Sequence, residues 1–201
     1  MELGFFLDPI HFRISVLEGT DDVSPALLNA VYLLGCHLSD SPDIRALEST
    51  LMSRTQIALS GPPLQAVLQW VQAEVLMSQY LFGKARILEA KYHATAAVSL
   101  VYGAGLHNTH AQIQPSSHSP VLRPPANAIE QGERINAFWT VLILHTCWVV
   151  SDGCPNIPFD APDSRIDVPW PLNLSQYPQV RIISIIRQVA DFFLISSRRS
   201  Q

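Results

Sequence analysis

The sequence predicts an all-α fold, an antiparallel helical bundle of about six helices. Three observations lead there. Ser-Pro pairs that serve as helix starts precede apolar runs, apolar residues recur at steps of three and four, and no stretch alternates apolar with polar between turn signals. Length and composition agree with a packed body: 201 residues, 48% apolar and only 15% charged. Charge that sparse, against about 25% in ordinary soluble domains, implies helices covered on several sides or a surface awaiting a partner.

Ser24-Pro25 provides an N-cap and an N1 proline, and VSPALLNAVYLLGCHLS follows with apolar residues around most of its circumference. Ser41-Pro42-Asp43 repeats the device, with an acid in the first turn to complement the helix dipole. The helix it opens would bury Ile44, Leu47, Leu51, Ile57 and Leu59, and Gly61-Pro62-Pro63 would stop it. A third helix, Leu64 to Phe82, would bury Val67, Leu68, Val71, Val75, Leu76 and Tyr80, with Gly83 as its C-cap. A fourth, Lys84 to Tyr102, carries Ile87, Leu88, Tyr92, Ala96 and Leu100 as its inner stripe and ends at Gly103-Ala104-Gly105. Links this short make the neighbours antiparallel.

Residues 107–125 change texture, with Pro115, Pro120, Pro124 and Pro125 among serines and histidines, and read as a mobile loop. Asn127 caps a fifth helix reaching Ser151, with Glu130 three residues on in a capping-box arrangement. Glu130 and Arg134 form an i, i+4 pair there. Residues 155–178 are proline-rich, unsuited to a helix interior, and are expected across the bundle ends. A last apolar helix, Val180 to Ser197, stops at a bare Ser-Arg-Arg-Ser-Gln tail, which predicts that the chain lacks a C-terminal part of its domain.

Several functions lack their residues. A net charge of −4 opposes phosphate binding by this chain alone. Cys36, Cys147 and Cys154 include no C-x-x-C, so neither a disulfide framework nor a zinc site is expected, and Cys147 reads as a small core side chain. The N-terminus lacks the basic start and long apolar core of a secretory signal, and Ile135–Val150 is too short and too polar for a membrane span. His107, His110 and His118 read as a solvated loop, with no carboxylate or cysteine close by to complete a metal set. No G-x-S-x-G elbow is present, and Gly103-Ala104-Gly105 ends a helix where a dinucleotide loop would follow a strand. Asp21-Asp22 leaves an all-α metal- or diphosphate-dependent enzyme as an alternative. Phe138, Trp139, Leu142 and Trp148 read as core, with a small-molecule sensor whose pocket Trp139 and Trp148 line as the other alternative.

Two stretches carry a family resemblance. EAKYHATAAVSLVYGAGLH resembles the segment of fungal zinc-cluster transcription factors in which a long helix ends in a Leu-Gly-Leu-His-like turn, here Ala104, Gly105, Leu106 and His107. GERINAFWTVLILHTCWVVSDGCPNIPFDAPDSRIDVPWP is similar to the family stretch with an acidic–arginine cluster, Phe-Trp, Gly-Arg-Pro and Ile-Asp-Val-x-x-Pro. Glu133, Arg134, Phe138, Trp139, Gly153, Pro155, Ile166, Asp167, Val168 and Pro171 match it, and the likeness spans Asp21 to Pro171. The arginine of Gly-Arg-Pro is Cys154 here, the aspartate midway along the helix is His145, and Ile135 and Asn136 replace further arginines.

The resemblance implies the middle homology region, an all-α regulatory domain C-terminal to a DNA-binding zinc cluster. It implies a nuclear location, control of transcription through protein co-regulators or a second copy of the chain, and no catalysis. The six-cysteine cluster itself is absent from these residues, so zinc and DNA contact would belong to a segment outside them, and no membrane role is implied.

Overall fold

The computed structural model describes residues 4–61, 66–108, 122–152 and 166–179. Among them are six α-helices of ten residues or more, one single-turn helix, one 3-10 helix and no strand. In chain order they are α1 (Pro9–Glu18), α2 (Pro25–His37), α3 (Pro42–Arg45), α4 (Glu48–Leu59), α5 (Val67–Gly83), α6 (Ile87–Gly103), α7 (Ala128–Asp152) and the 3-10 helix Leu174–Gln179. The chain divides into two compact units, Met1–Leu100 and Val101–Gln201. The expected helix over Val180–Ser197 lies outside the described residues.

In the first unit, α2 packs on both α4 and α5. Ser24 caps α2 as expected, its hydroxyl accepting the Leu27 N–H, and the helix buries Ala26, Leu27, Ala30, Leu33 and Cys36. Helix α5 is the central element. Val71 to Ser78 are all buried, so the helix is enclosed around its circumference. Its buried residues Glu74 and Ser78 are matched in place. Glu74 pairs with His93 of α6 at 2.6 Å, and the Ser78 hydroxyl donates to the Ala90 carbonyl at 2.8 Å, two contacts that run α5 and α6 antiparallel.

Two glutamines one turn apart on α5 grip incoming chain. The Gln72 amide accepts the Phe6 N–H and donates to the Gly4 carbonyl; Gln69 accepts the Ser24 N–H and donates to the Asp22 carbonyl. Each side chain thus satisfies the C=O of one residue and the N–H of the residue two further on, as a neighbouring strand would. The tripeptides held are those leading into α1 and α2.

Helix α1 was not anticipated. Asp8-Pro9 opens it with the same device as Ser24-Pro25: the Asp8 carboxylate accepts the Ile10 and His11 N–H groups and proline takes the first turn. Position 44 onward also departs from expectation. The segment breaks between α3 and α4, which shifts the phase, so the buried face of α4 is Leu51, Met52 and Thr55, while Ile44, Leu47 and Ile57 are exposed. Ser41 stands at the start of α3 but its side chain makes no capping bond. The inner face of α6 is likewise not Ile87, Leu88 and Tyr92, which are exposed, but Ala90, His93, Ala94, Ala97, Val98 and Val101. Small side chains dominate that buried face, the kind of surface that permits close helix packing.

The ends of α5 and α6 share one pattern. After α6, the Gly105 N–H bonds the Tyr102 carbonyl and the Leu106 N–H bonds the Val101 carbonyl, with Gly105 left-handed at φ 69°. After α5 the same pair of bonds recurs, Ala85 to Phe82 and Arg86 to Leu81, but the left-handed position is Ala85 at φ 57° rather than Gly83. A left-handed non-glycine residue costs about 1–2 kcal/mol. Ala85→Gly is therefore expected to raise stability by about 1 kcal/mol after the entropy glycine loses on folding, read as a higher urea midpoint at unchanged slope.

At the junction of α2, α4 and α5, Glu48 takes Lys84 at 2.6 Å and the Tyr80 hydroxyl at 3.2 Å, with His37 at 3.6 Å. Burial pushes the Glu48 carboxyl up, but Lys84, Tyr80 and His37 together hold it below its ordinary value. Among the described residues no helix is long and apolar enough to cross a membrane.

Candidate functional site

The second unit brings the motif residues together. Asn127 caps α7, its side-chain oxygen accepting the Glu130 N–H at 2.8 Å, and Glu130 reaches back to the Ala126 N–H at 2.7 Å. The capping box read from the sequence is therefore present, with its return bond one residue earlier than the usual form. Glu130 also holds Arg134 at 2.9 Å, and the same guanidinium nitrogen donates to the Arg123 carbonyl at 2.7 Å. Arg134 is only 1% exposed, and its Nε and Nη1 find no acceptor among the described residues. The i, i+4 pair read from the spacing is thus part-buried, its arginine enclosed and its glutamate 18% exposed, where a fully exposed pair would be worth only a few tenths of a kcal/mol.

One turn further, α7 carries a strap. Residues 166–173 have no regular structure and pass directly into the 3-10 helix. The Trp139 indole N–H donates to the Pro169 carbonyl at 2.6 Å, and the Asn136 amide donates to the Leu172 carbonyl at 3.2 Å. Tyr177 closes the arrangement: its hydroxyl donates to the Asn136 side-chain oxygen and accepts the Leu172 N–H, both at 2.9 Å. Its ring lies over Gly132, where a Cβ would stand 2.7 Å from two ring carbons. Trp170 stacks on Trp139 with centroids 4.6 Å apart, and Val168 is buried. Gly132, Asn136 and Trp139 share one face of α7, and the strap runs antiparallel along it. It follows the side of the helix, not the bundle ends.

The turn after α6 meets the beginning of the strap. The Asp167 N–H reaches the His107 carbonyl at 3.4 Å, and the His107 ring packs on Tyr102 at 4.8 Å. His107 is thus half-buried and not a solvated loop residue; His110 and His118 lie outside the described residues. Burial holds His107 below its ordinary 6.5 against the opposing pull of Asp167, and burial does the same to His145.

Of the residues singled out in the sequence, Gly105, Leu106, His107, Glu133, Arg134, Phe138, Trp139, Asp167 and Pro171 all fall in this unit. Leu106 and Phe138 are core, as is Trp148, whereas Trp139 is half-buried and engages the strap. Gly153, Pro155 and Cys154 lie outside the described residues. Cys147 is exposed, not a core side chain, because it sits on the outward side of α7. Gly132, Arg123 and Tyr177 carried no reading in the sequence, and Asn136 stood there only as a departure from the family's arginines. Glycine in a helix interior costs about 1 kcal/mol relative to alanine, so Gly132 was the available signal of a close approach. Among the described residues no group of three or more His, Cys, Asp or Glu is placed to hold a metal ion.

The profile of the fungal specific transcription factor domain matches residues 8–196 of the chain. The chain belongs to that family. No curated protein and no solved structure matches it. Within this fungal transcription factor domain Trp139, with Asn136 and Tyr177, ties one irregular segment to one long helix.

Acid should undo it in two stages. A histidine whose folded value is depressed keeps its full contribution above 6.5 and loses it as pH falls toward that folded value. Burial pushes Glu130 up, but the Ala126 N–H, Arg134 and Arg123 outweigh it, so its contribution persists above 4.5 and disappears below. Urea midpoints are expected to be flat above about pH 7 and to fall in both windows. His107→Asn should shrink the first step and Glu130→Gln the second.

Proposed function

We propose that this chain is a regulatory domain that controls DNA-templated transcription through protein contacts in the nucleus. The reading assigns it no catalytic step, no cofactor and no DNA contact of its own. Membership of the family supports the transcriptional role. The observation that carries the contact role is the outer face of α1. Ile10, Ile14 and Leu17, at the i, i+4, i+7 spacing of one helical stripe, are 70%, 47% and 80% exposed. The inner face of that helix buries only Ser15. An apolar stripe turned outward on a capped helix is the feature of a surface that a co-regulator's helix or groove covers.

Fusion of the chain to an unrelated DNA-binding module upstream of a reporter in a fungal cell tests the proposal. The fusion should change reporter output, and Ile14→Glu with Leu17→Glu should abolish the change while circular dichroism stays the same. A fusion with no effect on output would overturn the role, and an effect that survives the double substitution would overturn the assigned surface.

A further inference from the structure

We infer that the face of α7 formed by Gly132, Asn136 and Trp139 is a receptor for an extended, proline-flanked peptide, which the chain fills with its own strap and a partner protein's segment of the same chemistry can occupy in its place. The geometry is that of peptide recognition. The donors on α7 are side chains, Trp139 Nε1 and Asn136 Nδ2, and they take the carbonyls of Pro169 and Leu172. Those carbonyls are three residues apart. Pro169 and Pro171 fix φ near −65°, and Val168 and Trp170, each preceding a proline, are driven to extended conformations. A polyproline II segment has three residues per turn, so carbonyls at that spacing fall on one side of it. An indole N–H donating to the carbonyl of a proline-rich segment beside a stacked aromatic is the chemistry by which such peptides are bound elsewhere.

The ligand side is equally defined. Val168 and Tyr177 are the buried anchors, Tyr177 fitting over a glycine that leaves space for its ring, while Trp170 is 63% exposed over Trp139. Within residues 166–179 the bonds of the Gln176 N–H to the Asn173 carbonyl, the Asn173 N–H to the Gln176 side chain and the Leu172 N–H to the Tyr177 hydroxyl are local, whereas the bonds from Trp139 and Asn136 of α7 and the backbone bond to His107 orient the segment. A segment whose bonds outside itself go mainly to another element's side chains can be replaced by a second segment offering the same carbonyls and the same anchor. The inference rests on this geometry and not on the transcriptional reading.

The probe is a synthetic peptide with the sequence of Ile166–Gln179, labelled and titrated into the full chain by fluorescence anisotropy. The wild-type chain, with its own strap at high effective concentration, should bind it weakly. Tyr177→Ala in the chain should bind it at least tenfold more tightly, and adding Asn136→Ala should remove that gain. A folded Tyr177→Ala chain that shows no saturable binding, or one whose binding is indifferent to Asn136→Ala, overturns the inference. Wild-type chain that dimerises with concentration and loses peptide binding as it does so assigns the receptor to a second copy and overturns the partner stated here. Hydrogen exchange on the wild-type chain removes dependence on the variant's folding. The Leu172 amide should exchange at least tenfold faster than that of Val141 in α7, and equal protection would overturn displacement.

Discussion

A Gly132→Ala chain is expected to be less stable than wild type by about 2 kcal/mol, although helix propensity alone favours alanine by about 1 kcal/mol. The new methyl would stand 2.7 Å from two carbons of the Tyr177 ring and nearer still to Cδ2. Tyr177 cannot swing aside without giving up its bonds to Asn136 and to the Leu172 N–H. Overpacking of a filled site costs about 1–3 kcal/mol, so sterics and propensity predict opposite signs. Urea denaturation decides between them. The same substitution in a Tyr177→Ala background should cost nothing or stabilise, because the colliding ring is gone; equal penalties in both backgrounds would contradict the assigned contact.

Glu130→Ala is expected to cost about 3 kcal/mol, the low end of the range for breaking a buried ion pair by removing one partner, because Arg134 is enclosed while Glu130 is 18% exposed. Arg134 would keep its charge at 1% exposure with the Arg123 carbonyl as its remaining acceptor among the described residues. The substitution also removes the bond to the Ala126 N–H at the start of α7. Glu130→Ala combined with Arg134→Met should recover much of the loss, since no buried charge is then left uncompensated. A double variant as unstable as the sum of the two singles would show that the pair is not coupled. Calorimetric or urea melts of the four chains supply the cycle.

Local rules carried most of the helix plan. The Ser24-Pro25 start, the Gly105 stop and the Asn127–Glu130 box are interactions within a few residues, and the sequence states them directly. Asp8-Pro9 is the same device, and α1 escapes notice while the N-terminal segment is weighed only against a secretory signal. Faces were harder. On α6 the choice between the stripe of Leu88 and Tyr92 and the stripe of Ala90, Ala94 and Ala97 depends on how near the neighbours come, which no spacing along the chain encodes. The site divides the same way. The Glu130–Arg134 pair could be read from its spacing, but its burial could not, nor could the meeting of Trp139 with Pro169 thirty residues away. Gly132 and Tyr177 become meaningful only once the strap is laid against α7.

The two glutamine clamps of α5 have a mechanical consequence. Gln69 and Gln72 stand one turn apart in the first two turns of α5, so a twist or fray of that end loosens the threads before α1 and α2 at once. Isotope-labelled amides of Phe6 and Ser24, far apart along the chain, should therefore broaden and recover in unison as temperature is cycled.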